Sequence, residues 1–309
     1  MSIQLQAFHD EIRIVLYMER KTFLTLLTGS AGFAAMGSIR ALDGMFSEED
    51  TVMPVLFVGH GSPMNGIEDN IFSNYWKKLA NEIPQPKAVI CVSAHWLTRG
   101  TFVTAMAAPP TIHDFGGFPK ALFDVQYPAP GSMATAEETG KAITTIAVGM
   151  DHEWGLDHGT WSILRHMYPE ANIPVIQLSI DYDKPASYHY ELSKQLALLR
   201  KKGVLVIGSG NMVHNLRMAD FNRINDDNYG FDWALEMNEI FKKKISEGDH
   251  RALIEYAALN KAAPLAIPTP DHYYPLLYAL ALQSEKDEIQ FFNDKAVAGS
   301  LTMTSVRIG

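Results

Sequence analysis

The hydrophobic positions past residue 50 fall into short apolar runs that alternate with amphipathic segments. Runs rich in Val and Ile, with few polar interruptions, are typical of strands that are buried on both faces of a parallel sheet. Four such runs lie at residues 54–60, 87–96, 173–181 and 203–215. We therefore expect a mostly parallel central sheet that is covered by helices on both faces.

Helix-like segments separate these runs, and Gly203 follows one of them at the position where a helix-stop glycine is favoured. No Pro-, Gly- or Ser-rich or charge-dense linker divides the chain after residue 50. The predicted fold class is therefore α/β, with a single three-layer α/β/α domain over residues 51–309. The predicted helices cover residues 67–83, 133–147, 187–203 and 232–247.

The first 50 residues have a different pattern and are interpreted as an N-terminal extension. From Met18, the basic pair Arg20 and Lys21 precedes an apolar stretch rich in Leu, Gly and Ala. This layout is typical of a signal-like segment, although a surface helix would give a similar pattern. We expect a cytoplasmic protein, or an exported one if translation starts at Met18. A membrane span is not expected, because Thr, Gly and Ser interrupt the apolar run.

Charge and cysteine content exclude several classes of function. The chain of 309 residues has a net charge of −9, whereas binding to nucleic acid or to an anionic membrane needs clustered Lys and Arg. Its single cysteine, Cys91, excludes an intrachain disulfide framework and any multi-cysteine metal site. Because Cys91 lies inside an apolar run, we expect a buried and unreactive thiol. The sequence does not indicate the oligomeric state.

Histidines follow three of the four predicted strands. His60, His95 and His214 lie at or just beyond the carboxyl ends of their apolar runs. In open α/β sheets the crevice outside these strand ends binds ligands, so the three imidazoles are expected to converge there. His272 is a fourth candidate, because a Pro-rich segment leads to it and an apolar, helix-like run follows.

A histidine cluster without cysteine favours one divalent ion, Zn²⁺ or Fe²⁺, over Mg²⁺ or Ca²⁺, which prefer oxygen ligands. Catalytic sites commonly keep three protein ligands and an open position. Four candidate histidines thus suggest three ligands and one base.

Two further histidines lie in loops rich in Gly and aromatic residues. His113 in "TIHDFGGFP" and His158 in "DHGTW" are predicted to line a substrate pocket. Aromatic side chains are expected to form the walls of such a pocket, although at least two of the five candidates should belong to the core instead. The five candidates are Trp96, Phe115, Phe118, Trp161 and Tyr273.

The same motifs carry a resemblance to a known family. Taken together, "GHGSP" at 59–63, "SAHW" at 93–96, "TIHDFGGFP" at 111–119, "DHGTW" at 157–161, "GSGNMVHNL" at 208–216 and "PTPDHYYPLLYALA" at 268–281 resemble the LigB-like, class III extradiol ring-cleavage dioxygenases. Within that family they are most similar to its bacterial 4,5-DOPA-extradiol branch. The resemblance covers roughly residues 53–309.

The resemblance implies roles for individual residues. His60 and His95 match metal ligands, and His272 matches a third ligand where related enzymes use a glutamate. His214 matches a histidine proposed as the acid/base, and His158 matches one near the substrate. The implied reaction opens the ring of a small catecholic, DOPA-like substrate with O2.

We also expect Tyr273 and His113 to contact that substrate.

Two other functions remain open at this level. A zinc-dependent hydrolase could use the same histidines, although the sequence has neither HExxH nor G-x-S-x-G. A non-catalytic binding or signalling module of the same fold is the second alternative. Such a module would not need His214 as a base.

Overall fold

The structure is a computed structural model that describes residues 51–309. The strands are β1 (Val55–Gly59), β2 (Ala88–Ser93), β3 (Leu97–Thr98), β4 (Phe102–Thr104), β5 (Gly149–Asp151), β6 (Val175–Gln177), β7 (Ile180–Asp181), β8 (Val204–Gly210), β9 (Ile289–Phe292), β10 (Ala296–Val297), β11 (Leu301–Thr302) and β12 (Ser305–Ile308). The α-helices are α1 (Ile71–Glu82), α2 (Lys120–Phe123), α3 (Met133–Ala142), α4 (His158–Met167), α5 (Ala186–Lys194), α6 (Ala197–Lys201), α7 (Asp232–Ser246), α8 (His250–Ile254), α9 (Ala263–Ala266) and α10 (Tyr274–Leu280). Short 3₁₀ helices cover Pro63–Gly66, Leu216–Met218, Phe221–Arg223 and Tyr256–Ala258.

The central sheet has six strands in the order β6-β2-β8-β1-β12-β9. The first four strands of this order are mutually parallel. β12 and β9 continue the sheet in antiparallel pairing. The predicted mostly parallel sheet is therefore confirmed, while its antiparallel edge was not anticipated.

Alternating side chains of the sheet build two cores, one on each face. In β1, Val55 and Phe57 join the core that includes helices α5, α7 and α10. Leu56 and Val58 of the same strand face the opposite way, into the core that includes α1 and α4. Because successive strand residues point to opposite faces, one apolar run serves both helix layers. This arrangement confirms the three-layer α/β/α fold.

Local hydrogen bonds set the helix boundaries that differ from the predicted ones. The first helix begins at Ile71 because Asn70 and Ser73 form a reciprocal capping box at its N-terminus. The segment predicted as one helix over 187–203 is two helices, α5 and α6. At the break, Leu196 N–H donates to the carbonyl of Ser193, a tighter turn than the α-helix makes. Gly203 has a φ of 78°, as expected of the residue that ends a helix.

The N-terminal extension, with its signal-like or surface-helix interpretation, lies outside the described residues. Within residues 51–309, no helix is both long and apolar enough to cross a bilayer.

A buried arginine connects the start of the described chain to its C-terminal part. The Arg200 guanidinium forms a double hydrogen bond with Asp287, at 2.7 and 3.0 Å, and also donates to the carbonyls of Met53 and Leu282. Its side chain is only 4% exposed. Removing one partner of such a pair leaves an uncompensated buried charge and unsatisfied carbonyls.

We therefore expect Arg200→Ala to lower the free energy of unfolding by about 3–5 kcal/mol in urea or thermal denaturation. Arg251→Ala is the control, because the pair of Arg251 with Glu255 is exposed and its loss should cost less than about 1 kcal/mol. Equal effects of the two substitutions would contradict the structural role of Arg200.

Candidate functional site

Five histidines meet at the carboxyl end of the parallel strands. β2, β8 and β1 are adjacent and parallel, so the residues that follow them emerge at one edge of the sheet. The ring centroids of His60 and His95 are 5.0 Å apart, and His272 lies 5.3 Å from His60. His158 lies 4.0 Å from His95, and His214 stacks on His272 at 3.5 Å. We call these five residues the histidine cluster.

Two glycines allow the cluster to assemble. Gly61 has a φ of +62°, which turns the chain sharply after His60 at the end of β1. Gly159 in the first turn of α4 packs so closely that a Cβ would lie 2.5 Å from Ser93 Oγ and 3.0 Å from His95 Cδ2. A side chain at 159 would therefore displace Ser93 Oγ and crowd the His95 ring.

Hydrogen bonds determine which nitrogen of His60 carries the proton. Ser209 Oγ donates its single proton to the carbonyl of Gly159, at 2.6 Å. It can then only accept from His60 Nδ1, which lies 2.9 Å away. His60 Nε2 is therefore left with a free lone pair, which is the state that binds a metal.

Asp114 orients two further histidines in the same way. Its Oδ2 lies 2.9 Å from His158 Nδ1 and 3.4 Å from His95 Nδ1. Burial opposes the charge on Asp114, but the hydrogen bond with His158 and the electrostatic interactions with His158 and His95 lower the pKa of this carboxyl to about 2. An ionised Asp114 accepts a hydrogen bond from His158 Nδ1, and its charge 3.4 Å from His95 Nδ1 favours a proton on that nitrogen as well, so that the Nε2 lone pairs of both rings remain free.

The free nitrogens are placed as two ligands of one cation would be. His60 Nε2 and His95 Nε2 lie 3.1 Å apart. Two nitrogens that each lie about 2.0–2.1 Å from one zinc ion, at an angle between right-angled and tetrahedral, are separated by roughly 2.9–3.4 Å. Burial, followed by the neighbouring histidines, lowers the pKa of both imidazoles well below its usual range, so a shared proton is disfavoured. A divalent cation would compensate these two facing lone pairs.

Two histidines are placed to supply a third ligand. His158 forms a group with His60 and His95 in which the three ligand nitrogens all lie within 4.8 Å of one another. His272 lies next to both His60 and His95, and its ring centroid is 5.3 Å from that of His60 and 5.1 Å from that of His95. Its Nδ1 is hydrogen-bonded to Asp271, which leaves Nε2 available. The geometry thus adds His158 to the ligand candidates that the sequence suggested.

Within the histidine cluster, the ring of His214 is parallel to that of His272, at an interplanar angle of 6°. Burial, followed by the neighbouring His272, lowers the pKa of His214 to about 3. The imidazole is therefore neutral near pH 7 and can accept a proton.

The histidine cluster opens into a cavity of about 750 Å³, a size that accommodates a small organic ligand. Phe115 and Phe118 contribute to its wall, and Phe115 contacts the His158 ring edge to face at 5.6 Å. Further apolar residues form the rest of the wall, among them Ile71, Phe72, Leu216, Phe221, Val297, Leu301 and Met303.

Two residues predicted to contact the substrate lie outside the wall of this cavity. Tyr273 is buried in the core, where its hydroxyl donates to the carbonyl of Leu253 and its ring packs on Phe241 and Tyr256. Tyr273 follows His272 directly and is the N-cap residue of α10. The side chains of these two successive residues point in different directions, His272 to the cavity and Tyr273 to the core.

His113 Nε2 lies 2.9 Å from the carbonyl of Val125. This hydrogen bond explains the position of the His113 ring without any contact to a ligand. These positions do not support the predicted substrate contacts of Tyr273 and His113. Trp96 and Trp161 also belong to the buried core, as expected for at least two of the five aromatic candidates.

Three residues that orient the cluster escaped the sequence interpretation, although each adjoins a motif histidine or lies within a motif. Asp114 directly follows His113, and Asp271 directly precedes His272. Ser209 lies between the glycines of "GSGNM". Carboxylates and hydroxyls that accept from Nδ1 commonly accompany histidine ligands, so an acidic residue next to a candidate histidine is the signal to search for.

Comparisons with known proteins show the family to which the chain belongs. Residues 54–306 match the family model of the catalytic LigB subunit of aromatic ring-opening dioxygenase. The 4,5-DOPA dioxygenase extradiol of Escherichia coli K12 is 48% identical over 263 residues, which cover 84% of this chain and 96% of that protein. A protein of the same name from Beta vulgaris is 32% identical over 84% of this chain and 97% of its own length.

A solved structure has the same fold. The crystal structure of an uncharacterized protein from Escherichia coli K12 superposes with a TM-score of 0.73 at 42% identity, covering 83% of this chain and all of that one. Neither the hydrolase nor the binding-module hypothesis gains support from these relatives. The chain therefore belongs to the LigB family and is an extradiol ring-cleavage dioxygenase.

Proposed function

We propose that this protein is a metal-dependent dioxygenase that opens the ring of a catechol, such as DOPA, next to its two hydroxyl groups. The observation that carries the proposal is the 3.1 Å distance between His60 Nε2 and His95 Nε2 in the wall of a cavity that Phe115 and Phe118 also line. The names of the relatives from Escherichia coli and Beta vulgaris support a DOPA-like substrate.

In this proposal His60, His95 and His272 hold one divalent ion, Fe²⁺ or Zn²⁺, and His158 faces the substrate. The Ser209 hydroxyl and the carboxylates of Asp114 and Asp271 lie against the Nδ1 atoms of these imidazoles. The Nε2 atoms are therefore neutral nitrogen donors, which suit either ion. Bound Fe²⁺ would supply the electron transfer between catechol and O2, which Zn²⁺ has no redox chemistry to supply.

His214 is the proposed acid/base. It is neutral at pH 7, and it stacks on His272 in the wall of the cavity. A catechol that binds as a monoanion would place a negative charge beside His214, raise the pKa of His214 from about 3 and make it a better acceptor for the second proton of the catechol. The base is thus weak in the free enzyme and stronger once the substrate is bound.

The aromatic wall positions the ring of the substrate. Phe115 and Phe118 contact each other edge to face, at 5.5 Å, and Phe115 also lies against His158. Such rings favour an aromatic ligand in an offset or edge-to-face arrangement and exclude water from it.

Oxygen uptake tests this function directly. Metal-free protein reconstituted with Fe²⁺ under anaerobic conditions should consume O2 when L-DOPA or catechol is added, and a yellow ring-opened product should form. The Zn²⁺-loaded protein is the control and should consume none. Absence of uptake by the iron form over a panel of catechols would refute the proposal.

Asp114 is expected to determine how tightly the metal is held. Asp114→Asn keeps the size of the side chain but removes the charge that holds the protons on His95 and His158 Nδ1. We expect a 10–100-fold weaker metal affinity, measured by competition with a chelator. Asp124→Asn, at an exposed pair with Lys120, is the matched control. Unchanged affinity in Asp114→Asn would show that the carboxylate does not orient the ligands.

A further inference from the structure

The wall of the cavity carries charged side chains that ring cleavage does not use. Among the described residues that line the cavity, Lys295 is the one Lys or Arg. It forms an ion pair with Asp227, which lies in the segment before α7. The neighbouring Asp226 is already paired with Arg223, at 2.6 Å. The Lys295–Asp227 pair is thus a local, neutral unit at the cavity wall.

The strand register places this pair on the same surface as His214. His214 bridges Leu301 in antiparallel fashion, and Leu301 pairs with Val297 across β10 and β11. Side chains that lie directly opposite each other share one face of a sheet, and so do residues two apart along a strand. His214, Leu301, Val297 and Lys295 therefore share one face, and all four line the cavity.

The distance along this face suits a substituted catechol. Two strand spacings and two residues of rise separate the Cα atoms of His214 and Lys295 by roughly 12 Å. The Lys295 side chain can reach back over part of this distance. A catechol whose ring lies at the histidine cluster would thus bring the end of a short side chain to the ion pair.

We propose that the Lys295–Asp227 pair selects the substituent of the catechol, with Lys295 binding a carboxylate and Asp227 binding an ammonium group. This inference rests on the proposed function for the identity of the ring. A zwitterionic substituent supplies one oppositely charged partner to each member of this partly exposed pair, so each charge of the ligand gains a charge-assisted hydrogen bond. A substituent with a single charge would satisfy one member and compete with the other.

Binding to the Zn²⁺-loaded, full-length protein under anaerobic conditions tests the selection without turnover. The quantity measured is the Kd of L-DOPA relative to that of 4-methylcatechol, by titration calorimetry. Lys295→Met should reduce the preference for L-DOPA about tenfold, and Lys295→Arg should largely restore it. Lys242→Met is the matched control, because it removes an ion pair to the adjacent Asp294 that does not line the cavity.

Probes with single charges separate the two roles. Lys295→Met should weaken 3-(3,4-dihydroxyphenyl)propionate more than dopamine, and Asp227→Asn should have the opposite effect. A preference that is unchanged in Lys295→Met, or equal losses for all probes including 4-methylcatechol, would overturn the inference.

The proposed function is tested separately, by O2 uptake of the iron form. A Lys295-dependent preference without uptake would support the selecting role and refute the oxygenase. Uptake of O2 without a Lys295-dependent preference would support the oxygenase and refute the selecting role of Lys295 and Asp227.

Discussion

Replacing His60 with alanine is expected to abolish stable metal binding and, with it, ring cleavage. His60 Nε2 lies 3.1 Å from His95 Nε2, and both nitrogens carry free lone pairs because their Nδ1 atoms face oxygen acceptors. Without the His60 imidazole, one of these two nitrogen ligands is missing, and the remaining histidines no longer provide three ligands to one ion. Elemental analysis after dialysis should show the metal content falling from one ion per chain to a small fraction.

The matched control is His113→Ala. His113 lies in a neighbouring loop and contacts the Val125 carbonyl rather than the cavity. We expect it to retain its metal. Stoichiometric metal in His60→Ala would remove this residue from the ligand set and would refute the proposed centre.

The same measurement decides which histidine is the third ligand. His272→Ala should lose the metal if the set is His60, His95 and His272, whereas His158→Ala should then retain it. The reverse result would favour the group in which three nitrogens lie within 4.8 Å of one another, His60, His95 and His158.

The central sheet and the convergence of the histidines could be predicted because they depend on short patterns. Val- and Ile-rich runs predict strands that are buried on both faces, and β1, β2 and β8 follow that pattern. Parallel strands place their carboxyl ends at one edge, so the positions of His60, His95 and His214 followed from the order of residues alone. His272 was a further candidate because of its Pro-rich approach and the apolar run that follows it, and the resemblance then added the expected roles.

The remaining features depend on contacts between distant segments. β9 and β12 extend the sheet in antiparallel pairing, with polar or partly exposed positions that do not give an apolar run. Asp114 lies 44 residues before His158, and only the fold brings them together. Tyr273 is an aromatic residue next to a motif histidine, as a pocket residue would be, but its ring lies in the core at the start of α10. A motif therefore predicts that a residue lies near the site, not which way its side chain points.

If His214 is the acid/base, its replacement should lower the rate of ring cleavage but leave the metal bound, whereas replacement of His60 should remove the metal. His214→Ala and the more conservative His214→Gln should keep one metal ion per chain, because His214 is not among the proposed ligands. Their kcat should fall about 10²–10⁴-fold, the range typical of a lost general acid/base. The KM for the catechol should change much less, because the aromatic wall and the other histidines remain. Oxygen uptake with L-DOPA and elemental analysis of the same samples measure both quantities.

The pH dependence separates a base from a residue that only packs. Burial keeps His214 neutral, with a pKa of about 3, so its proton-accepting form is present throughout the neutral range. If an anionic substrate raises this pKa, kcat of the wild type should fall on the acid side of its profile as His214 becomes protonated in the complex. His214→Gln should lose that acid limb together with its rate. A variant that lost rate but kept the limb would assign the titrating base to another residue, and loss of metal would make His214 a ligand.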